Sequence, residues 1–238
     1  MRLSIVIPAH NEEQYIGECL DNICQNTIGD PRLLEIIVVD NASTDKTVEV
    51  ASRRPGVSVI REDKKGVNYA REKGRVLARG DLVAFIDADT IISPTWLDVV
   101  YDSFTKDKEM VSLSGPTNLN NTSAIEDLAV ETYWSMAVPA YRAIGYMAVG
   151  GNLIVKKEAL EKIGGFNTNI AFYGDDADLA RRLSKIGKVV FDKKLAVHTS
   201  DRRLRQEGVT KTLTNYIANY ISVAVLKKPI TKRYNDIR

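Results

Sequence analysis

Strand-like and helix-like segments alternate through the first hundred residues, and this alternation constrains the fold more than any other feature of the chain. Apolar runs at 3–8, 34–40, 57–61 and 82–86 predict four strands, and the segments between them have helical periodicity. Helices that connect strands in this way usually cross over a parallel sheet. The sequence therefore predicts an α/β domain of Rossmann-like type, with a mostly parallel sheet flanked by helices.

Capping residues indicate where the helices begin. The first helix is predicted from Asn11, where Gln14 completes a capping box, to about Asn26. The second follows the cap residues 43–45, and the third lies between Gly66 and Gly80. Further helices are expected after Ser93-Pro94, from Ser123 to about Ile144 and from about Thr210 to Leu226, with strands at 110–114, 150–156 and 188–191.

Composition and charge narrow the class of protein. Lys and Arg number 33 against 31 Asp and Glu, so the overall charge indicates neither nucleic acid nor membrane as an obligatory partner. Cys19 and Cys24 lie five residues apart in one predicted helix, which suits neither a disulfide nor a zinc site. With no signal peptide expected ahead of the first strand, and no apolar run near the ~20 residues that span a bilayer, we expect a cytoplasmic protein.

Two aspartates, Asp87 and Asp89, follow the end of the apolar run at 82–86. Alternate side chains of an extended segment point the same way, so both carboxylates are expected on one face. Oxygen ligands of this kind suit hard cations such as Mn²⁺ or Mg²⁺. The pair therefore predicts a divalent metal site, although a simple turn is the alternative because Asp is common where a strand ends.

Four stretches together resemble the family 2 glycosyltransferases, which have a GT-A fold, and the resemblance extends from about Leu3 to His198. They read SIVIPAHNEE at 4–13, VVDNASTD at 38–45, DAD at 87–89 and GDDADL at 174–179. Arg182 lies further along the helix predicted to begin in the fourth stretch. Two positions depart from the family pattern: Asn41-Ala42 replaces the usual Asp-Gly, and Glu72 stands where the family has Asn.

The resemblance implies transfer of a sugar from a nucleoside-diphosphate sugar to an acceptor hydroxyl, on a glycan or a lipid-linked sugar. Such a reaction must stabilise a diphosphate leaving group and remove a proton from the acceptor. By resemblance, Asp176 is the general base of an inverting displacement, and Asp175 orients nearby groups. The three acids at 175–178 could alternatively serve the helix dipole, which favours carboxylates at a helix N-terminus.

The resemblance also implies which residues bind the donor and the metal. Asp89 and Asp87 are the expected metal ligands, and His198 is a further candidate whose alternative is an ordinary surface histidine. The residues assigned to the donor are Pro8, His10, Glu12, Asp40, Arg71, Asp87, Gly151, Arg202 and Arg203. Arginine suits phosphate oxygens because its guanidinium donates two parallel hydrogen bonds, so the basic run after 199–201 could fold over the diphosphate; a solvated basic loop is the alternative.

On this interpretation, residues 1–238 form a single domain. It comprises a nucleotide-binding half at 1–90, an acceptor and catalytic half at 91–200, and a basic loop with a C-terminal helix at 201–238. That helix has apolar residues at helical spacing and is followed by Lys227, Lys228, Lys232 and Arg233. It could lie on the inner face of a membrane, dock onto the domain itself, or form a homodimer.

Three other classes of protein share part of this pattern. A dinucleotide-dependent oxidoreductase would need a glycine-rich turn after the first strand, where this chain has Pro8-Ala9-His10-Asn11. A sugar-phosphate nucleotidyltransferase would usually have a basic, glycine-rich loop there, and here that loop is acidic. A catalytically inert nucleotide-sugar-binding scaffold is the third alternative, because a fold does not by itself give activity.

Overall fold

The computed structural model of the chain describes residues 1–120 and 124–231. The strands in these residues are β1 (Leu3–Ala9), β2 (Leu33–Asp40), β3 (Val57–Arg61), β4 (Leu82–Ile86), β5 (Ile91–Ile92), β6 (Met110–Ser114), β7 (Thr117–Leu119), β8 (Asn152–Lys156), β9 (Lys188–Phe191) and β10 (Val197–Thr199). The helices are α1 (Ile16–Thr27), α2 (Thr47–Ser52), α3 (Val67–Leu77), α4 (Trp96–Lys106), α5 (Ala124–Ile144), α6 (Lys157–Lys162), α7 (Asp175–Leu183), α8 (Arg202–Glu207) and α9 (Val209–Leu226).

Seven strands form the main sheet, in the order β3-β2-β1-β4-β8-β6-β9. The pairs β1–β2, β1–β4, β2–β3 and β6–β9 are parallel, whereas β8 runs antiparallel to both β4 and β6. A smaller sheet has the order β5-β10-β7. The predicted α/β architecture with a mostly parallel sheet is confirmed.

The central strands read as unbroken apolar runs because both of their faces are covered. Ile5 and Ile7 of β1 belong to the core that contains Ile16 of α1 and Trp96 of α4. Val6, between them, faces the opposite core with α3 and α7. On that side α3 packs very close to the sheet, since a Cβ atom on Gly74 would lie only 2.2 Å from a methyl carbon of Val6.

The main differences from the predicted elements occur at boundaries near the carboxyl ends of the strands. The first helix begins at Ile16 rather than at Asn11, because Asn11 has a φ of 51° and its side chain accepts a hydrogen bond from the Thr44 N–H instead of capping α1. The basic segment expected to be a loop is α8, and α4 begins at Trp96, after Ser93-Pro94. The predicted cap residues Ser123 and Glu126 lie outside the part of the chain whose side chains are described.

Candidate active site

Asp89 follows β4 and lies beneath the segment that leaves β10. Its Oδ1 accepts a hydrogen bond from Thr199 Oγ1 at 2.8 Å, and its Oδ2 accepts one from Ser200 Oγ at 2.6 Å. The guanidinium of Arg202 is 3.3 Å from the same Oδ2. The last residue of β10 and the residues that follow it therefore hold the carboxylate of Asp89, which is only 8% exposed.

Arg202 joins this aspartate to the loop after β1. Its two terminal nitrogens donate to the two carboxylate oxygens of Glu12, both at 2.6 Å. The guanidinium also lies 4.8 Å from the ring centre of Tyr15. Glu12 is 1% exposed, so its charge is balanced inside the protein by a guanidinium, as buried carboxylates generally require.

A second arginine, Arg71 of α3, connects the other aspartate to the start of α7. It donates to Asp87 Oδ1 at 3.1 Å and to Asp175 Oδ2 at 2.6 Å, and its own side chain is 5% exposed. One buried guanidinium is therefore bonded to two carboxylates, one from each half of the chain. Asp87 is 42% exposed, so part of its carboxylate faces solvent.

Two glycines before β8 allow these charged groups to approach the backbone. A Cβ atom on Gly151 would lie 2.4 Å from Asp87 Oδ2, and one on Gly150 would lie 2.9 Å from both terminal nitrogens of Arg71. Real Cβ atoms do not come so close to such atoms. The sequence assigned Gly151 to the donor pocket, and the structure brings it directly against Asp87.

Asp175 and Asp176 open α7, behind Gly174, whose φ of 83° is in the region that favours glycine. Burial raises the pKa of Asp175 to about 7, while the guanidinium of Arg71 acts in the opposite direction. Burial also raises the pKa of Asp176, and the N–H of Ala177, which donates to its Oδ1 at 2.7 Å, opposes that rise.

Asp178, the third acid of the helix start, has a structural role. It is 4% exposed, and its two oxygens accept hydrogen bonds from Arg181 and Arg182 at 2.7 and 2.8 Å. Arg182 in turn donates to the backbone oxygen of Gly165 at 2.6 Å. The carboxylate of Asp178 is therefore bonded within its own helix, whereas Asp175 bonds to Arg71 of α3.

The ends of β1 and β2 lie beside a cavity of about 370 Å³. His10 and Asn41 line it and are joined by a 2.7 Å hydrogen bond between His10 Nδ1 and the Asn41 backbone oxygen. Asn68 also lines it, and its buried Oδ1 has no hydrogen-bond partner among the residues described. Asp40 is fully buried and accepts hydrogen bonds from the Ser43 N–H at 3.3 Å and from Arg61 at 3.1 Å.

The departures from the family pattern have local structural reasons. The Asn41 side chain donates to the backbone oxygens of Glu62 and Lys64 and accepts from the Gly66 N–H at 2.7 Å, so it fixes the loop between β3 and α3. Ala42 has a φ of 57°, a conformation that favours glycine, the residue usual in the family. Glu72 accepts from the Phe166 N–H at 3.0 Å and pairs with Arg75.

Two further predicted residues lie beside this site without joining the aspartates. Arg203 packs over the Phe172 ring at 4.6 Å and lies 3.7 Å from Glu207. His198 is in β10 with an exposed side chain, while its neighbours Thr199 and Ser200 contact Asp89. Side chains alternate along a strand, so Thr199 and His198 point to opposite faces. A third predicted residue, the donor-binding candidate Pro8, is buried within β1.

No group of three His, Cys, Asp or Glu side chains that could hold a metal ion occurs in residues 1–120 and 124–231. The expected set of Asp87, Asp89 and His198 is thus not assembled, and its metal binding stays a prediction. The chemistry of the two carboxylates nevertheless fits Mn²⁺ or Mg²⁺, which prefer oxygen ligands. For Asp89 to coordinate an ion, however, its oxygens would have to be released by donors such as Arg202.

The sequence did not identify Thr199 and Ser200 as part of the site. Both lie in a short polar run next to a strand, a pattern typical of ordinary turns. Their contact with Asp89 depends on β10, which pairs antiparallel with β5 just after the aspartates. A strand of three residues has too little periodicity for its bounds to be placed from sequence.

Comparison with known proteins yields matches over most of the chain. A family model described as glycosyl transferase family 2 matches residues 4–164, and a model described as the N-terminal domain of galactosyltransferase matches residues 133–199. The chain is 23% identical over 187 residues to a glucosyl-dolichyl phosphate glucuronosyltransferase of Haloferax volcanii. That match covers 74% of this chain and 59% of the relative.

Two solved structures have a similar fold. A mannosyltransferase, PcManGT from Pyrobaculum calidifontis, in complex with GDP-Man and Mn²⁺, has a TM-score of 0.73 and 20% identity; the match covers 95% of this chain and 63% of that one. The glucosyl-3-phosphoglycerate synthase from Mycobacterium tuberculosis, with Mn²⁺, UDP and phosphoglyceric acid, has a TM-score of 0.66 and 21% identity, covering 94% and 78%. These likenesses confirm the expected GT-A fold class.

Proposed function

The chain belongs to glycosyl transferase family 2, and from that premise we propose that it transfers a sugar from a nucleoside-diphosphate sugar to an acceptor hydroxyl. One observation carries the proposal. Arg71 binds Asp87 and Asp175 at once, and so brings the aspartates after β4 together with the acids at the start of α7. Donor groups and an acceptor base placed side by side are what a direct transfer needs.

The donor nucleoside is proposed to bind at the ends of β1 and β2. Ligands of open α/β sheets bind outside the carboxyl ends of the strands, and the cavity beside His10 and Asn41 lies there. Residues 1–90 would thus bind the nucleotide, residues 91–200 would provide acceptor contacts and catalysis, and residues 201–238 would contribute the arginines and the last helix.

Asp89 and Asp87 are the residues that would hold Mn²⁺ or Mg²⁺. When bound, such a cation neutralises diphosphate oxygens as negative charge develops on the leaving group. Arg202 contributes a positive charge of the chain itself at the same place, and its guanidinium can donate two hydrogen bonds to phosphate oxygens. Glu12 orients this guanidinium through its two 2.6 Å contacts.

Asp176 is proposed as the base that removes the acceptor proton. Its raised pKa favours this role, since a carboxylate becomes a better base as its pKa approaches the working pH. Asp175 is held by Arg71 and therefore positions the start of α7. A single displacement by the acceptor oxygen would invert the configuration at the anomeric carbon. The acceptor is proposed to be a hydroxyl of a glycan or of a lipid-linked sugar, and the reaction to occur on the cytoplasmic side.

The test combines donor binding with turnover. Nucleoside-diphosphate sugars differing in base and sugar are screened by thermal unfolding with and without Mn²⁺. A true donor at about a hundredfold over its Kd should stabilise the protein by about 2.7 kcal/mol. In the Asp176→Asn variant the stabilisation should persist, while transfer should fall by about 10²- to 10⁴-fold because the proton acceptor is lost.

Asp102→Asn is the matched control, because Asp102 is 69% exposed on α4 and pairs with Lys106 at the surface. It should keep both donor binding and turnover. If Asp176→Asn keeps near-normal turnover, the base assignment is wrong. If no donor stabilises the wild-type protein, the inert scaffold is favoured, whereas release of diphosphate from a nucleoside triphosphate and a sugar phosphate would identify a nucleotidyltransferase.

A further inference from the structure

Helix α9 exposes a row of apolar side chains, whereas three of its four buried residues are polar and the fourth is Val223. Ile217, Ile221 and Val225 are 42%, 53% and 70% exposed, while Asn219 and Ser222 are 2% and 3% exposed. The three exposed residues are four apart and therefore lie along one side of the helix. An amphipathic helix of a soluble domain normally has the reverse arrangement, with its apolar stripe against the core.

The buried polar side chains are used by the chain that follows the helix. Asn219 Oδ1 accepts hydrogen bonds from the Ile230 and Thr231 N–H groups at 3.1 and 3.0 Å, and Ser222 Oγ donates to the Lys228 backbone oxygen at 2.7 Å. The segment after α9 thus folds back along the polar side of the helix. The apolar side cannot turn inward without breaking these bonds, so its stripe faces outward in the folded chain.

The sequence of α9 and of the residues that follow it up to 234 carries charges of one sign only. Residues 209–234 contain five basic residues and no acidic one; the basic residues are Lys211, Lys227, Lys228, Lys232 and Arg233. Lys227 and Lys228 directly follow the helix and are exposed. In a symmetric dimer formed through this face, the face would meet a copy of itself and bring like charges together, which is unfavourable. An anionic lipid surface offers the opposite charge together with an apolar interior.

We propose that α9 lies on the surface of an anionic bilayer, with Ile217, Ile221 and Val225 inserted below the headgroups and the lysines after the helix among them. Helices with an apolar stripe and a basic end bind membranes by burying apolar side chains and by electrostatic attraction to anionic lipids. The helix lies in the plane of the interface, since no helix in the described ranges is both long and apolar enough to cross a bilayer.

This docking also orients the candidate active site. A Cβ atom on Gly174 would lie 3.0 Å from Val223 of α9 and 3.2 Å from Pro229. Helix α9 and the turn after it therefore pack closely against Gly174, the residue before Asp175. A membrane-bound α9 places the start of α7 near the lipid surface, where the hydroxyl of a lipid-linked acceptor would be found. Only this last step rests on the proposed function, whereas membrane binding stands without it.

The test is sedimentation of the full chain, with no donor present, with phosphatidylcholine vesicles and with the same vesicles containing phosphatidylglycerol. Binding should require the anionic lipid and weaken as salt is raised. The double substitution Lys227→Gln/Lys228→Gln should weaken binding by roughly tenfold or more at low salt. Ile217→Ser/Ile221→Ser should weaken it by a similar factor at all salt concentrations, because it removes apolar burial.

Matched controls lie elsewhere on the surface. Val48→Ser/Val76→Ser removes two exposed apolar side chains from α2 and α3, and Lys193→Gln/Lys194→Gln removes two adjacent exposed lysines. Both should bind vesicles like the wild type. Equal binding to neutral and anionic vesicles, or binding unchanged in the Ile217→Ser/Ile221→Ser variant, would overturn the proposal. So would a concentration-dependent dimer that this variant abolishes in a protein that does not sediment with vesicles.

Discussion

Glu12 is a buried carboxylate whose counter-charge, Arg202, lies 190 residues further along the chain. Removing one member of a buried pair costs more than the pair itself contributes, because the remaining charge is left without compensation. Without the Glu12 charge, the Arg202 guanidinium still has Asp89 as an acidic neighbour at 3.3 Å, and it is 15% exposed. Asp89 and solvent therefore compensate part of the positive charge of Arg202. The cost of losing the Glu12 charge should therefore be moderate.

For Glu12→Gln we expect the free energy of unfolding to fall by about 1–3 kcal/mol, because two charge-assisted hydrogen bonds are weakened. Urea unfolding followed by circular dichroism measures this change. Glu13→Gln is the adjacent control, since Glu13 is exposed and accepts one hydrogen bond from the Lys46 N–H. It should change stability by no more than about 0.5 kcal/mol, and an equal loss in both variants would contradict the role given to the buried pair.

The residues of this pair could be named from sequence, but their contact could not. Glu12 and Arg202 were each predicted as donor-binding residues from motifs at opposite ends of the chain. That they bind each other depends on β10 returning beside β5 and on the short helix α8, which carries Arg202. Long-range pairing of this kind has no local signal, because it follows from the assembled fold.

At the scale of whole elements, sequence periodicity was most informative where a run was long. Strands β3, β4, β6 and β9 have the predicted bounds, since polar or turn residues limit each apolar run. The short strands β5 and β7 were missed, because two or three residues carry no period. Cap patterns also misplaced the start of α1. The side chains of Asn11 and Glu13 accept hydrogen bonds from the backbone of residues 44–46, and the Asn11 and Glu12 N–H groups donate to Ser43 and Thr47, so these residues bond to the 43–47 segment rather than to α1.

The turn before β8 provides an element-scale prediction. In Gly151→Ala the new methyl group would meet Asp87 Oδ2 at 2.4 Å, so the carboxylate must move. We expect the stabilisation by donor and Mn²⁺ to fall by at least about 1.4 kcal/mol, which is tenfold in affinity. Thermal unfolding with and without both ligands measures it. Gly17→Ala in α1 is the control: its Cβ would meet the end of the Arg54 side chain at 3.0 Å and a methyl carbon of Val50 at 3.4 Å, so ligand stabilisation should be unchanged.

At the scale of the whole molecule, Arg71 is a link between distant parts of the chain. It lies 16 residues from Asp87 and 104 residues from Asp175 in sequence, and it is bonded to both. Without it, the carboxylates of Asp87 and Asp175 lose their shared counter-charge. The expected result is a loss of stability that depends on pH.

Arg71→Gln should lower the free energy of unfolding by about 3–5 kcal/mol at pH 8. The loss should be smaller at pH 5, because the Asp175 carboxyl is then protonated in the folded variant and needs no counter-charge. Burial already raises the pKa of Asp175 to about 7 in the folded state, and removing Arg71 raises it further. A raised carboxyl pKa makes the folded state bind the extra proton, so stability falls as pH rises from the unfolded pKa towards the folded one.

Urea unfolding at the two pH values measures this difference. Arg53→Gln is the control, because Arg53 is 67% exposed and pairs with Glu49, which is 54% exposed. It should cost no more than about 1 kcal/mol at either pH. A loss for Arg71→Gln that is independent of pH would show that the carboxylates do not need this guanidinium.

The antiparallel pair formed by β4 and β8 has two ends with different surroundings. Because β8 is antiparallel to β4, Asn152 at its start pairs with Ile86 at the end of β4, and the glycines before β8 meet the aspartates after β4. At the other end of the same strand pair, the Lys157 N–H donates to the Asp81 backbone oxygen at 2.9 Å. Five strand residues, about 17 Å, separate the two ends. One end of this strand pair thus carries the charged groups of the site. At the other end Asp81 is exposed, and there we expect an inserted loop or a label to leave the site intact.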